Sequence, residues 1–511
     1  MDQLFRRKPI SEVRGDHVDP QTEVETGLRR SLGVWQLTAL GIGGIIGAGI
    51  FSGAGTAISG GPNHLGAGPG LVVSYILVAI ACGFAALCYA EFASLIPQAG
   101  SAYTYAYATL GELVAWIIGW DLIIEYAVGN IAVAVSWSAY FDTLMRGFGI
   151  HFPAWLVTDP RTAVQGFHAL QANPQLTDGA TLEAARAWTT APHIAGLPVI
   201  FNLPAVLIVA LITWVLVIGI RESAWTNTVM VLLKLGILAF FIAIGAVWVQ
   251  PENWHPFMPN GWQGVFTGAS LIFFAYIGFD AVSTAAEEAR DPQRDMPRAM
   301  MLSLAVTSVI YIVVTLVMTG LMPWNQMGNA DPLASAFAAR GYHWAAGIIS
   351  FGAIIAMASV LLVFQLGQPR IFFSMARDGL LPPFAAKLHP RFRTPHVTTI
   401  LTGAFVAFFA AFANINEVIE LTNIGTLFAF VLVAIGVMVL RLREPERHRP
   451  FRTPLVWVVA PAAIVSCGFL MYQLPGLTWA RFGIWLAVGL VIYFLYGYRK
   501  SVLRNRETPA S

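Results

Sequence analysis

The sequence predicts an all-α integral membrane protein with twelve transmembrane helices. Three observations carry that prediction. Of 511 residues, 57% are hydrophobic and only 11% are charged, where a soluble globular chain carries about 25% charged residues. Apolar runs of bilayer-crossing length recur almost from end to end. The basic residues also fall in alternate connections, as they do in polytopic membrane proteins.

The twelve expected spans are 34–57, 69–95, 106–146, 202–220, 227–249, 264–287, 298–321, 343–372, 397–414, 420–440, 454–474 and 481–498. The third is long enough for one tilted helix plus an extension, since a crossing takes about 20 residues. Of 30 Lys and Arg residues, 24 fall in the tails and connections on one side, 5 fall on the other, and Lys234 lies within a span. The positive-inside rule therefore predicts that both termini are cytoplasmic. The first thirty residues carry Arg6, Arg7, Lys8, Arg14, Arg29 and Arg30 and no short apolar core with a cleavage site. The first span is thus expected to direct insertion itself. The one long outer connection, 147–201, contains "ATLEAARAW", which suits a short helix, and has no functional reading. Cys82, Cys88 and Cys467 lie in apolar spans without metal-ligand or disulfide spacing and read as small core residues.

The first span contains "GIGGIIGAGIF", Gly41 to Phe51, with five glycines in eleven residues. Three readings compete. A dinucleotide loop needs a strand before it and a helix after it in an α/β unit, and here another span follows. Gly43-x-x-x-Gly47 fits the small-residue packing motif of membrane helices. The third reading is a deliberate break. Five mid-helix glycines cost about 4–5 kcal/mol of helix propensity relative to alanine. Open backbone within hydrocarbon is tolerated only where protein buries it or where it lines a cavity. Free N–H groups at the start of a half-helix suit a carboxylate, and free carbonyls at the end of the other half suit an ammonium. A zwitterion presents both.

A break of this kind predicts a second one at the matching position of an inverted repeat. Five spans later comes "SLIFFAYIGFDAVSTAAEE", with Gly278 in its middle, Asp280 beside it, and Glu287 and Glu288 further along. Spans 11 and 12 then fall outside the repeat.

With these motifs the chain resembles the amino acid–polyamine–organocation superfamily of permeases, among them the bacterial relatives of the cationic amino acid transporters. "GIGGIIGAGIF", "CYAEFASLIPQAGSAYTYAYATLGELVAWIIGWDLIIEYAVG", "FFAYIGFDAVSTAAEEARDPQRDMP" and "MARDGLLPPFAAKLHPRFRTPH" carry the resemblance, which runs from Leu32 to about Leu495. It implies the leucine-transporter fold, with spans 1–5 and 6–10 as a 5+5 inverted repeat. Helices 1 and 6 are then discontinuous, and spans 1, 3, 6 and 8 surround a midplane site. It implies carboxylate contacts on the backbone of Ile46, Gly47, Ala48 and Gly49. The α-amino contacts fall on carbonyls near Ile45 and on Phe274, Ala275 and Ile277, with Phe274 as an aromatic gate. The bland reading of Phe274 is one more lipid-facing or core phenylalanine among 33.

Lys234 is the one basic residue deep inside a span, about eight residues or roughly 12 Å from its start. A lysine in hydrocarbon costs a few kcal/mol and usually marks an ion or proton path. The alternative is a snorkelling lysine, whose stem lies in lipid while its head reaches the interface. Members of the resembling family hold a lysine here whose ammonium replaces a sodium ion between spans 1 and 8. The resemblance therefore implies proton coupling at Lys234. Glu125 in span 3 suits a substrate amine or a proton relay, and equally a plain structural hydrogen bond. Asp121, one turn earlier, is expected nearer the interface. Met357 in span 8 either shapes a side-chain pocket that favours small neutral substrates or simply packs. "RDGLLPP", with Arg377 and Asp378, is a family marker without assigned chemistry.

The divisions expected are a cytoplasmic tail (1–31), a first repeat (32–250), a second repeat (251–440), spans 11–12 (441–498) and a second tail (499–511). All ten histidines lie in tails, loops or span ends, and no H-E-x-x-H, G-x-S-x-G or P-loop pattern occurs. An enzyme is therefore not expected, nor a metal or cofactor. The scattered basic residues do not suit nucleic acid. The expected activity is proton-coupled uptake of a neutral L-amino acid across the bacterial inner membrane, by a monomer or weak oligomer. Its partners are the amino acid, protons and the lipid bilayer. A cationic amino acid permease, an exchanger and a transport-inactive nutrient sensor are the alternatives.

Overall fold

The computed structural model describes residues 5–8, 32–61, 64–96, 101–174, 179–194, 196–218, 224–329, 331–392 and 394–507. The described chain is helical, apart from two-residue antiparallel pairs at Gly60–Gly61 with His64–Leu65 and at His193–Ile194 with Leu197–Pro198. Twelve apolar helices follow one another. They are α1 (Val34–Ser59), α2 (Gly68–Leu95), α3 (Glu112–Gly147), α4 (Leu203–Ile218), α5 (Thr228–Val247) and α6 (Gly261–Ser283). The second six are α7 (Pro292–Leu321), α8 (His343–Arg377), α9 (His396–Phe412), α10 (Ile415–Arg443), α11 (Val456–Tyr472) and α12 (Gly476–Arg504). Among the described residues, nine are long and apolar enough to cross a membrane; α4, α9 and α11 are shorter. Each coincides with one of the runs expected from the sequence.

The third run divides differently from the expectation. Ser101–Thr109 is a separate helix. It ends where the N–H groups of Leu110 and Gly111 both reach the Ala106 carbonyl, and α3 begins only at Glu112. The long connection between α3 and α4 holds two helices, Pro160–Ala172 and Gly179–Thr190, packed on each other. The second contains the "ATLEAARAW" stretch. Asp159 caps the first by accepting the Thr162 N–H.

Burial separates central helices from lipid-facing ones. In the most apolar window of α6, 94% of residues are buried, against 22% in that of α12. Leu207, Leu211 and Trp214 of α4, and Leu401 and Phe408 of α9, are exposed apolar side chains. Such faces suit lipid, because helices satisfy their own backbone. Cys82, Cys88 and Cys467 are buried free thiols.

The packing pairs have an order. α1, α2, α6 and α7 pack on one another, chiefly as α2–α7, α1–α7 and α2–α6. α3, α4, α8 and α9 form a second group through α3–α8, α4–α9 and α8–α9. α5 touches α1, α7 and α8, and α10 touches α2, α6 and α3, so each of these helices contacts both groups.

Candidate functional site

α1 is helical from Val34 to Ile45 and then breaks. Ile46 closes this half with extended backbone (φ −76°, ψ 101°) and an N–H bonded to Ile42 O. The chain resumes through a wide π-type turn, Gly49–Gly53, and a helical stretch, Ala54–Ser59. α6 breaks as well. Its helix Gly261–Ile272 tightens at Phe273–Tyr276, then opens at Ile277 (ψ 134°) and Gly278 (φ 118°) before a tight second stretch, Asp280–Glu288. The side chains of Glu287 and Glu288 lie outside the described set. The Gly278 N–H is taken by Asp280 Oδ1 at 3.2 Å.

Two of the three readings of the glycine cluster are realised together. Residues 34–40 are helical, so no strand precedes Gly41 and the dinucleotide loop is excluded. The helix does break, and its glycines also let backbones meet. A Cβ on Gly49 would lie 2.2 Å from Ala275 Cα, and one on Gly278 would lie 2.7 Å from the Gly44 carbonyl carbon. The two broken helices therefore touch at two levels. A Cβ on Gly47 would lie 2.8 Å from Val360 Cγ2 of α8. Met357, fully buried, stands three residues before Val360 and so on the same side of α8.

Carbonyls freed by the breaks need donors, because none is available from lipid. Side chains supply them. Lys234 Nζ of α5 donates to Gly43 O at 2.6 Å and to Ile46 O at 3.1 Å. Tyr311 Oη of α7 lies 2.9 Å from Ile45 O and 3.0 Å from Ala275 O. Tyr140 of α3 donates to Phe51 O. Asn423 Nδ2 of α10 donates to Ser270 O at 2.7 Å and to Leu271 O at 2.9 Å. Lys234 is 1% exposed, although Leu232 and Leu233 beside it are exposed. Its head points inward to the break, and it does not snorkel.

Ile45, Ile46, Gly47, Ala48, Gly49, Phe274, Ala275 and Ile277 thus come together at the two breaks, all buried. Glu125 of α3 meets the α6 break through Asp280. It lies in a second π-type turn, Ile124–Val128 of α3, a local distortion frequent at functional sites. Its carboxyl faces that of Asp280, with Thr426 of α10 alongside. Asp121, one turn before Glu125, is 1% exposed. Oδ1 packs against Gly425 of α10, and neither oxygen has a donor among the described residues. The bonds made by Tyr311, Tyr140 and Asn423 were not read from the sequence. The only signal was a polar group within an apolar run.

A cavity of about 490 Å³ lined by Arg294, Arg298 and Phe451 lies at the charged end of α7 and does not include the break residues.

A multi-pass helical membrane protein whose two interrupted helices meet through bare backbone is built as a carrier for a small molecule. This chain belongs to the amino acid permease family, whose family model matches residues 32–495. It is 44% identical to the branched-chain amino acid permease BcaP of Bacillus subtilis, over 98% of this chain and 99% of that one. It is equally 44% identical to the methylthioribose transporter of the same bacterium, over 99% and 100%. The vacuolar cationic amino acid transporter 2 of Arabidopsis thaliana is 36% identical over 87% of this chain and 64% of its own. The relatives are transporters and not enzymes.

Proposed function

We propose that this permease is a secondary active transporter that imports a neutral L-amino acid with a proton across the bacterial cytoplasmic membrane. In this reading all twelve helices cross, both termini are cytoplasmic, and α1–α5 and α6–α10 form a 5+5 inverted repeat of the leucine-transporter type. The packing pairs support the repeat. A shift of five positions turns α1–α7 into α6–α2 and α5–α8 into α10–α3, and returns α2–α7, α3–α8 and α4–α9 to themselves.

The observation that carries the reading is the reach of Lys234 Nζ to Gly43 O and Ile46 O. A proton arriving on Lys234 makes an ammonium that ties α5 to the α1 break. The amino acid then binds beside it, its carboxylate on the N–H groups of residues 46–49 and its ammonium on the carbonyls of Ile45, Phe274, Ala275 and Ile277. The α1, α2, α6 and α7 group rocks against the rest. Loss of the proton to the cytoplasm loosens the site and frees the substrate. Met357 and Phe274 shape and cover the side-chain pocket in this scheme.

The methylthioribose relative, as similar as the branched-chain permease, supports a second reading in which the cargo is an uncharged thiosugar. Uptake into proteoliposomes separates the two. The panel is neutral and cationic amino acids and methylthioribose, each under imposed pH and sodium gradients. We expect a neutral amino acid to accumulate with an inward proton gradient and to ignore sodium. Uptake of the thiosugar alone, or dependence on sodium, would overturn the proposal. Counterflow with and without internal amino acid distinguishes symport from exchange.

A further inference from the structure

We infer that the cavity at the start of α7 receives the head of an anionic phospholipid, its phosphate between Arg294 and Arg298 and its acyl chains along an apolar furrow over α2, between α7 and α11. This site lies away from the two helix breaks, and nothing in it depends on which cargo is carried.

The head of the site is a matter of charge. In the cavity, of about 490 Å³, the first turns of α7 meet Pro450 and Phe451 of the segment that leads into α11. That segment is fastened to α2. The Phe451 N–H lies 3.3 Å from Ser94 Oγ, and Thr453 Oγ1 donates to Leu87 O at 2.9 Å. Arg294 and Arg298 stand one turn apart on α7, and both are exposed. The arginines just before Pro450 are engaged: Arg441 and Arg449 pair with Glu91, and Arg447 pairs with Glu444. Arg294 and Arg298 have no such carboxylate partner among the described residues. Asp291 is the one acidic residue that lines the cavity. Two guanidiniums and one carboxylate leave a single positive charge, which one phosphodiester anion neutralises. A guanidinium also presents paired N–H donors that match phosphate oxygens. A zwitterionic head would leave the excess charge in place.

The rest of the site is a matter of shape. Arg294, Arg298, Leu302, Val306 and Val309 follow one another at the three- and four-residue steps of a single helix face, and the three apolar side chains are exposed. On α2, Ile76 and Ile80 are exposed, and a Cβ on Gly83, further along the same face, would meet nothing within 4 Å. Trp457 and Val458 are exposed at the start of α11. α7 and α11 both pack on α2, so α2 floors the furrow and Gly83 is a low point in it. Lipid covers many apolar faces of such a protein. Two unneutralised guanidiniums at the head of this one set it apart. A soluble phosphate ester would use the cavity alone, whereas a phospholipid uses cavity and furrow together. In the orientation proposed above, the head lies in the cytoplasmic leaflet, where basic pockets between helices bind anionic heads.

The test is native mass spectrometry of the intact, detergent-solubilised transporter. It is titrated separately with phosphatidylglycerol, phosphatidylethanolamine and glycerol 3-phosphate. We expect one phosphatidylglycerol to be held with a Kd at least about tenfold below that of phosphatidylethanolamine, a difference of about 1.4 kcal/mol. Glycerol 3-phosphate, which has the head and no chains, should bind far more weakly than either. The double variant Arg294→Gln with Arg298→Gln should lose the preference for phosphatidylglycerol. Arg391→Gln with Arg499→Gln removes as much charge elsewhere and should keep it. Gly83→Phe fills the furrow, leaves every charge in place, and should raise the Kd for phosphatidylglycerol about tenfold. This variant decides the matter if the arginine pair cannot be replaced without unfolding.

Equal affinity for the two phospholipids would overturn the assignment, as would a preference that survives loss of Arg294 and Arg298. An equal loss in the Arg391 and Arg499 variant would reduce the effect to general attraction between charges. Glycerol 3-phosphate binding as tightly as phosphatidylglycerol, or indifference to Gly83→Phe, would overturn the lipid as occupant.

Discussion

Lys234 occupies a lipid-facing helix, yet its head is buried against α1. An aliphatic stem that crosses from an exposed backbone to a broken helix is long enough only because α5 packs directly on α1. If the ammonium is the proton-dependent tie, Lys234→Met keeps the stem's bulk and removes the tie. Uptake driven by an inward pH gradient should then fall at least about tenfold, measured as initial rate in proteoliposomes. Full pH-driven uptake in that variant would leave the lysine a structural donor. This residue was legible in the sequence because a charge within an apolar run stands out. Tyr311 and Asn423 were not, because a tyrosine or asparagine in a membrane helix carries no mark of its partner, and both partners are main-chain atoms on distant helices. The glycines were half legible. Their number announced a break, whereas their contacts with Ala275, Gly278 and Val360 depend on the packing of α1 against α6 and α8.

At the level of elements, hydropathy located every apolar helix and misplaced boundaries where polar chemistry sets them. Residues 106–109 were joined to α3 because hydropathy is continuous through Leu110, while a pair of N–H groups on one carbonyl ends the Ser101–Thr109 helix. The segment between α7 and α8 was not singled out at all. It packs over the second half of α1, where a Cβ on Gly55 would lie 2.5 Å from Met327 O. Asp331 ties it to α3, accepting from Thr143 Oγ1 at 2.5 Å and from Ser335 Oγ at 2.9 Å. Burial outweighs these bonds and pushes the Asp331 carboxyl up from 3.8 to about 6. The folded protein therefore holds this proton more tightly than the unfolded chain. Between those two values the folded form binds more protons, so stability falls as pH rises through the window and the loss is complete above about 6. Acidification from about pH 7.5 to about pH 5 should raise the thermal unfolding temperature of the detergent-solubilised protein. In Asp331→Asn that gain should shrink by about 1–3 °C. An identical gain in both would mean that the Asp331 carboxyl does not contribute to the pH dependence.

For the whole molecule, the packing divides ten helices into two groups of four, with α5 and α10 touching both. Tyr311 bonds α1 and α6 from α7, inside one group, and Tyr140 of α3 bonds α1 across the division. Lys234 reaches α1 from a helix that straddles both groups. Glu125 of α3 and Asp280 of α6 face each other directly across the division. Two carboxylates this close and out of water repel, and a proton shared between them turns repulsion into a hydrogen bond. In the proposed rocking motion α3 and α6 part here, so a proton on this pair would decide whether they hold together. Glu125→Gln makes the bond independent of that proton, since an amide donates to Asp280 at any pH. We expect the variant to retain amino acid exchange across the membrane and to lose most of the acceleration that an inward proton gradient gives net uptake. Wild-type acceleration in Glu125→Gln would confine coupling to Lys234 and leave the carboxyl pair a fixed strut between α3 and α6.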